Sequence, residues 1–456
     1  MNYLTVSRRS ESARPRLILI FAGWGMDGRP FAGLGRDGYD TAVVWDYADA
    51  RPLPLDLIAH YREICVMAWS FGVPYAARFI AAHAATLPIT RCVAVNGTLH
   101  PVDDHRGIPE VIFRGTLDNL DARNLTKFQR RMTGGGDTYA RFAANNPQRT
   151  IDSLADELRR VAADGAAPDP CFDSVYISGA DRIIPPACQR KAWEGHENIT
   201  ELGDDAPHMP DFAAIIELEF ADKHRISRSF GEVAATYDEE AEVQREAAEC
   251  LAGIWSAAVP HTACAIEFGT GTGLLSRLIA NPLARYDIAP LFDDVRCSDA
   301  EVDIADMIAA ESKTRPLAGV IAASTIQWFN SPRRFLARAL RAMPSGAVLA
   351  LSSFGPDTYR ELKPFQRRRP TYLSAAELQK TAQDLVDQGL ARKDFTVKEM
   401  EPRVIDFGST RALTAHIRRS GVNATQTPDL VAARALLASG ITTLTYTPVF
   451  IALTRV

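Results

Sequence analysis

Two short turns in this chain of 456 residues carry residue types that can do chemistry, one in each half. Ala68-Trp69-Ser70-Phe71-Gly72 sets a serine between an apolar run and a helix-like stretch. That is the setting of a sharp strand-to-helix turn that exposes a nucleophile. A serine hydroxyl becomes nucleophilic only beside a base that an acid orients. Asp181, in Gly179-Ala180-Asp181-Arg182, and His208, in Asp205-Ala206-Pro207-His208, each follow a late apolar run and complete the order serine, acid, histidine. Ala68 stands where the elbow pattern has its first glycine, so Ser70 alone reads equally as a turn serine. Asp181 and His208 tip the reading towards catalysis. Asp204 and Asp205 are rival acids, read as turn residues, and His100 and His196 are read as surface or core histidines. The oxyanion donors are expected to be the backbone N–H groups of Phe71 and Trp24, with Phe128 on the substrate side.

The second turn, Glu267-Phe268-Gly269-Thr270-Gly271-Thr272-Gly273, follows the apolar run Cys264-Ala265-Ile266. Gly269, Gly271 and Gly273 permit a tight turn and close backbone approach to a nucleoside cofactor. Glu267 precedes the first glycine, Asp287 lies where a ribose-binding carboxylate falls on the next strand, and Ser298-Asp299-Ala300 is placed to face an adenine. The spacing resembles the S-adenosylmethionine turn of class I methyltransferases. A dinucleotide fingerprint has its third glycine one residue later. A structural glycine turn is the competing reading.

Both turns need rigid elements behind them. Leu17–Phe21, Thr41–Trp45, Ile64–Ala68 and Cys92–Asn96 are continuous apolar runs of the buried parallel-strand kind, and Val73–His83 between the last two is helical. Residues 98–172 are polar, Arg-rich and helix-like, broken at Gly134-Gly135-Gly136, and read as an inserted lid. Val175–Gly179 and Ile199–Leu202 restore strands before a helix over 212–220. Asp222-Lys223-His224-Arg225 is a charged junction, giving domains 1–222 and 223–456. A helical stretch from Glu239 to Trp255 leads into a second βα series. It starts at Cys264, continues through Gly319–Ala323 and Ala347–Leu351, and ends in a strand over Leu444–Leu453. The alternation predicts doubly wound α/β sheets.

Composition narrows the function. Apolar and charged residues make up 46% and 23% of the chain, ordinary globular values. A net charge of −5 argues against a general nucleic-acid binder. Seven cysteines without a C-x-x-C pair suggest reduced thiols of a cytoplasmic protein rather than a disulfide framework or metal site. The polar N-terminus does not read as a signal peptide, and no apolar run is long enough for a membrane span.

Together these residues resemble a pair of biotin-pathway families. Residues 16–220 look like BioG-type pimeloyl-ACP methyl ester esterases, through Phe21-Ala22-Gly23-Trp24-Gly25-Met26, the Ser70 elbow and Phe113-Arg114-Gly115-Thr116-Leu117. Residues 226–456 look like BioC-type malonyl-ACP O-methyltransferases, through Phe230-Gly231 with Tyr237, Ala241-Glu242-Val243-Gln244-Arg245-Glu246, the glycine turn and Thr325-Ile326-Gln327-Trp328-Phe329. Ser352-Ser353-Phe354-Gly355-Pro356 and Gly421-Val422-Asn423-Ala424 extend that likeness. The resemblance implies an α/β-hydrolase fold with a helical lid, followed by a class I Rossmann-like methyltransferase fold. It also implies S-adenosylmethionine as methyl donor, Tyr237 and Gln244 closing over it, and acyl carrier protein as partner, with no nucleic acid or membrane. The carrier is acidic, which makes Arg123, Lys127, Arg130 and Arg131 in the lid, and Arg367-Arg368-Arg369, candidate docking clusters; solvated basic faces are the plain alternative. Two other functions compete: a general lipase or thioesterase fused to a small-molecule methyltransferase, and a non-catalytic hydrolase-like docking module fused to a methyltransferase.

Overall fold

Strands such as Arg16–Phe21 and Glu63–Trp69 are buried along their whole length. Residues apolar on both faces of a strand require helices above and below, the condition of an inner parallel strand. The computed structural model describes residues 1–10, 15–49, 51–170, 172–425 and 429–456; Cys171 lies outside them. The chain forms two compact units, Met1–Phe220 and Ala221–Val456, both mixed α/β and built on largely parallel sheets.

In chain order the first unit runs β1 (Asn2–Ser7), β2 (Arg16–Phe21), β3 (Asp40–Trp45), β4 (Glu63–Trp69), α1 (Gly72–His83), β5 (Ile89–Val95) and the helices α2 (Glu110–Asp118), α3 (Ala122–Thr133), α4 (Gly136–Ala144) and α5 (Ile151–Asp164). It closes with β6 (Ser174–Ser178), α6 (Pro186–Ala192), β7 (Ile199–Leu202) and α7 (Phe212–Glu219). The sheet order is β1-β3-β2-β4-β5-β6-β7. All pairs are parallel except β1 with β3. The sequence reading assigned no element to residues 2–7; this half-exposed edge strand needs only one apolar face, so its pattern is weak. Helices α2–α5 fill the expected lid between β5 and β6. Asp121 and Thr150 cap α3 and α5 through their side chains, and Gly134, Gly135 and Gly136 all take positive φ between α3 and α4.

The second unit runs α8 (Lys223–Glu240), α9 (Glu242–Ala258), β8 (Cys264–Phe268), β9 (Leu283–Asp287), β10 (Val295–Cys297), α10 (Ala300–Ser312), β11 (Leu317–Ala322), α11 (Pro332–Ala342) and β12 (Val348–Phe354). It continues through α12 (Ala375–Asp387), β13 (Thr396–Glu399), β14 (Arg403–Asp406), α13 (Thr410–Arg419), α14 (Leu430–Ala438), β15 (Thr443–Tyr446) and β16 (Pro448–Thr454). Its main sheet has the order β10-β9-β8-β11-β12-β16-β13, and β14 pairs with β15 apart from it. Strand β16 is antiparallel to both neighbours; the rest of the main sheet is parallel.

Two sequence expectations change here. The helix expected over Glu239–Trp255 is two helices broken at Ala241. The charged junction is the start of the first, because the Asp222 side chain accepts from the Arg225 amide and caps it. The strand expected over Leu444–Leu453 is two strands in different sheets. Pro448 has no amide to donate, and Thr447 is turned aside by bonds to Gly355 and Thr358. Among the described residues no helix is long and apolar enough to cross a membrane.

Helix α1 begins hard against β2: a Cβ on Gly72 would lie 2.1 Å from the Phe21 carbonyl oxygen. Gly72→Ala should therefore cost about 2–3 kcal/mol by overpacking, lowering the first unit's Tm by several degrees in a thermal melt. An unchanged melt would mean the helix start can slide away from β2.

Candidate active sites

Three side chains of the first unit meet beyond the carboxyl ends of parallel strands. Ser70 follows β4, Asp181 follows β6 and His208 follows β7. Ser70 Oγ lies 2.9 Å from His208 Nε2, and His208 Nδ1 lies 2.7 Å from Asp181 Oδ2. Asp181 Oδ1 accepts from the Ile183 and Ile184 amides at 2.8 and 3.0 Å, and Oδ2 from Gln189 Nε2 at 2.7 Å. With its lone pairs fixed this way, the carboxylate favours the His208 tautomer that donates from Nδ1. Nε2 is then left to accept from the Ser70 hydroxyl. The serine, acid and histidine are 6%, 5% and 1% exposed, so bulk water does not compete for these bonds. The arrangement can pass a proton from serine to imidazole as the serine attacks an acyl carbon.

The elbow is strained and tightly boxed. Ser70 has φ +58°, a left-handed conformation rare outside glycine. A Cβ on Gly23 would sit 2.9 Å from Ser70 Cβ, and one on Gly97 would sit 2.4 Å from the Ser70 carbonyl oxygen. Ala68 lies inside β4, away from this crowding, so the elbow tolerates it. Among the described residues, neither the Phe71 nor the Trp24 backbone N–H has a protein acceptor. The Trp24 turn is held by the lid. Its indole donates to the Leu154 carbonyl at 2.9 Å, and its ring meets Phe128 edge-on at 4.8 Å. The Gly25 amide faces the buried Glu157 carboxylate, which is paired with Arg149 at 2.8 Å. Asp204 and Asp205 sit in the turn after β7 and do not pair with His208. His196 bonds the Phe172 carbonyl through Nε2.

In the second unit a cavity brings together Tyr237, Gln244, Gly271, Asp287, Asp299 and Ala300, with Gly269 also on its wall. Asp287 Oδ2 accepts from the Gly271 amide at 2.8 Å and Oδ1 from the Ala289 amide at 2.7 Å. Burial raises the Asp287 pKa and these amides oppose the rise. Gly271 has φ +52° with open space where a Cβ would point, so its exposed face can receive a ligand. Gly269 is needed for another reason: a Cβ there would lie 2.2 Å from Thr325 Oγ1. Gly273 takes φ +82° and, against expectation, is absent from the cavity wall; it closes the turn by donating its amide to the Thr270 carbonyl. Asp299 caps α10, accepting from the Glu301 amide.

Glu267 is a correction. It is buried behind the glycine turn, accepts from the Ser276 hydroxyl, and is absent from the cavity wall. It lies within β8, so its side chain goes to the sheet's flank while the turn after it faces the cavity. The Arg367–Arg369 cluster is corrected too. Arg367 is exposed and pairs with Asp429, but Arg368 is buried, and Arg369 donates inward to the Pro356 and Thr358 carbonyls. By contrast Arg123, Lys127, Arg130 and Arg131 are exposed along α3, and among the described residues none pairs with a carboxylate. Asn96 and Gln189 went unseen in the sequence. Asn96 Nδ2 donates to the His208 carbonyl and Ser178 Oγ, both at 2.8 Å, and Gln189 holds Asp181. The only signal for Asn96 was Asn96-Gly97 at a strand end.

Comparison with known proteins decides the first unit. The family described as "Pimeloyl-ACP methyl esterase BioG" matches residues 7–215. The crystal structure of BioG from Haemophilus influenzae is 30% identical, covering 46% of this chain and 94% of that one, with a TM-score of 0.40. An uncharacterised protein of the same species is 36% identical over 183 residues, covering 39% of this chain and 81% of the relative. The first unit belongs to the BioG family. A malonyl-[acyl-carrier protein] O-methyltransferase of Bacteroides fragilis is 29% identical over 429 residues, 90% of this chain and 85% of that protein, a span that runs through both units. The chain thus joins a BioG unit to one of BioC type.

Burial pushes the Glu267 carboxyl up to about 7, against the Ser276 hydrogen bond and the Arg285 charge, which lower it. A carboxyl raised in the folded state holds its proton longer than the unfolded chain does. Stability therefore falls as pH rises from the ordinary carboxylate range through about 7. Glu267→Gln should erase this slope, gaining on the wild type by up to about 3 kcal/mol between pH 5 and pH 8. Denaturant unfolding at both pH values measures it, and a difference independent of pH would show an ionised Glu267 throughout.

Proposed function

We propose that this chain is a bifunctional enzyme of biotin-precursor synthesis: the BioG unit hydrolyses the methyl ester of pimeloyl-ACP, and the second unit methylates the free carboxylate of malonyl-ACP. The observation that carries the reading is the continuous Ser70–His208–Asp181 hydrogen-bond chain in a BioG unit that is joined to a glycine-lined cavity. The strand order around the elbow fits an α/β-hydrolase fold with a helical lid. The second sheet fits a class I Rossmann-like methyltransferase fold.

In the first unit, His208 Nε2 takes the Ser70 proton as Oγ attacks the ester carbonyl. The Phe71 and Trp24 amides are the donors available to the oxyanion. His208 then gives the proton to the departing methoxide, which leaves as methanol. A water deprotonated by His208 cleaves the acyl-serine, releasing the pimeloyl carboxylate and restoring Ser70. Phe128, packed on Trp24, borders the acyl path. The exposed basic row of α3 offers the acidic carrier a docking face over the serine.

The second cavity fits S-adenosylmethionine by its own features. Gly271 presents a bare backbone face, Asp287 and Asp299 offer carboxylate acceptors, and Gln244 Oε1 is buried without a partner. When bound, that cofactor supplies an electrophilic methyl group. Tyr237, Gln244, Gly269, Gly271, Asp287, Asp299 and Ala300 would hold it, while Gly273 and Glu267 shape the turn. A malonyl carboxylate is already ionised near neutral pH. The protein's task is to align it and exclude water, with no general base required. Methylation removes a charge that is costly in an apolar acyl tunnel, and the BioG unit later restores it.

Ser70→Ala should abolish release of methanol from pimeloyl-ACP methyl ester and leave methyl transfer to malonyl-ACP intact, as read by mass spectrometry of both carriers. Surviving esterase turnover would sink the triad assignment. Gly271→Val should do the reverse, because a branched side chain at positive φ is strained and blocks the bare face. Calorimetric titration with S-adenosylmethionine should show at least a tenfold loss, and unchanged affinity in a folded variant would remove this turn from the site. Reversing charge at Arg130 and Arg131 together should raise KM for the carrier-linked ester several-fold and spare a small free ester. The defect should shrink as salt rises. Equal loss on both esters would point instead to lid misfolding.

A further inference from the structure

A small side chamber opens beside the cofactor cavity of the second unit, and the two share Phe230, Tyr237, Gln244, Ser324 and Trp328 as a common wall. Its remaining lining includes Tyr359, Tyr372, Gln327 and Phe354, with no lysine or arginine among the described residues. Among the described residues only five that are not glycine take positive φ. Two of them, Ser324 (φ +50°) and Tyr359 (φ +55°), line this chamber. Strain of this kind persists where the surroundings over-determine a geometry. The Ser324 hydroxyl is buried and has no partner, although its amide is held by Ser352. Tyr359 is fixed by its amide bond to the Thr445 carbonyl at 2.8 Å and packs edge-on against Tyr446 at 5.0 Å.

Behind Tyr359 the Tyr446 ring is anchored by a buried polar network. Tyr446 Oη lies 2.8 Å from His416 Nε2, and His416 Nδ1 lies 2.7 Å from Glu240 Oε2. Arg419 pairs with the other Glu240 oxygen at 3.1 Å. Burial above all, with the neighbouring phenols Tyr446 and Tyr372, holds the Tyr359 hydroxyl protonated well above its ordinary range. The Glu240 carboxylate favours the His416 tautomer that donates from Nδ1, so Nε2 accepts from the Tyr446 hydroxyl and fixes that ring behind Tyr359, whose own hydroxyl is left to donate to a ligand. Nothing in the first unit is needed for it, and neither the glycine turn nor the cofactor-side carboxylates take part.

We propose that this chamber is the acceptor site of the methyltransferase unit, holding a small aliphatic carboxylate between the hydroxyls of Tyr359 and Ser324. Glu240, His416 and Tyr446 act as positioning residues for Tyr359. The proposal rests on the methyltransferase reading above and adds to it the residues that grip the carboxylate. Neutral donors suit the chemistry. They orient both carboxylate oxygens without the tight ion pair that would draw off the electron density needed for attack. Once the oxygen is methylated the charge is gone, and hydrogen bonds to a neutral ester are weaker than those to an anion. The site therefore binds substrate better than product.

Tyr359→Phe in the full chain removes one oxygen and keeps the ring. It should raise KM for malonyl-ACP about tenfold to a hundredfold, the range for loss of a hydrogen bond to a charged group, while calorimetric affinity for S-adenosylmethionine stays within twofold. Ser324→Ala should act in the same direction and gives a second reading if the first variant folds poorly. Tyr446→Phe should raise KM less, and adding it to Tyr359→Phe should cost nothing more, since its effect passes through Tyr359. A wild-type KM in folded Tyr359→Phe and Ser324→Ala would overturn the proposal, as would cofactor affinity falling as far as KM rises. Additive effects of the two tyrosine changes would overturn the positioning role of Tyr446. If the wild-type chain does not methylate malonyl-ACP at all, the functional reading fails separately. Binding of malonyl-pantetheine to the chain loaded with S-adenosylhomocysteine then decides the chamber: binding lost in Tyr359→Phe supports it, and no binding to the wild type overturns it.

Discussion

Both units obey one constraint: inner parallel strands must be apolar on both faces and have every backbone group paired within the sheet. Polar side chains and unusual backbone are thereby driven to the strand ends. All five described non-glycine residues with positive φ comply. Asp46, Ser70 and Asn96 follow β3, β4 and β5 directly, and Ser324 and Tyr359 lie just beyond β11 and β12. The left-handed turn is how a chain leaving a packed strand reverses fast enough to aim a side chain over the sheet's edge. Ser70 is the sharpest case, boxed by glycines on two sides. Its geometry is set by steric exclusion before any hydrogen bond is counted.

The two units then use that edge differently. In the BioG unit the carboxyl ends of three strands converge on one proton path, and each member is oriented by a further bond: Asp181 by Gln189, His208 by Trp69 and Asn96 through its carbonyl. In the second unit the same edge is spread open. The glycine turn and Asp287 form one wall, and Ser324 and the tyrosines form another. A narrow convergence suits a reaction in which protons move between side chains. An open cleft suits one in which the protein must align two separate molecules.

How much of this could be read in the sequence follows from the range of the interactions. Buried strands announce themselves locally, so β2 to β6, the elbow and the glycine turn were legible. The Ser70–His208–Asp181 hydrogen-bond chain was legible from chain order and strand-end positions, which had already set Asp204 and Asp205 aside as turn residues. Glu267 was misjudged because adjacency to a motif does not fix which way a strand residue points. Helix α8 was missed at its start because its cap sits in a run of charges, where no apolar period begins until Ile226. Glu240, His416, Tyr446 and Tyr359 left no trace at all. Up to 206 residues separate them, and no spacing rule links residues that only a tertiary fold brings together.

Asn96 has a wider consequence. Its amide reaches across the whole lid insertion, accepting from the Ser178 amide and donating to Ser178 Oγ and the His208 carbonyl. The ends of β5 and β6 are thus stapled together independently of what lies between them. Lengthening a loop whose ends are already pinned adds little entropy cost. Helices α2 and α4 are therefore free to drift in length and composition over evolutionary time. Helices α3 and α5 are not, because Phe128, Leu154 and Glu157 hold the Trp24 turn. Relatives should diverge most in α2 and α4 and least in α3 and α5, a pattern of variation drawn by a single asparagine and the turn it leaves to the lid.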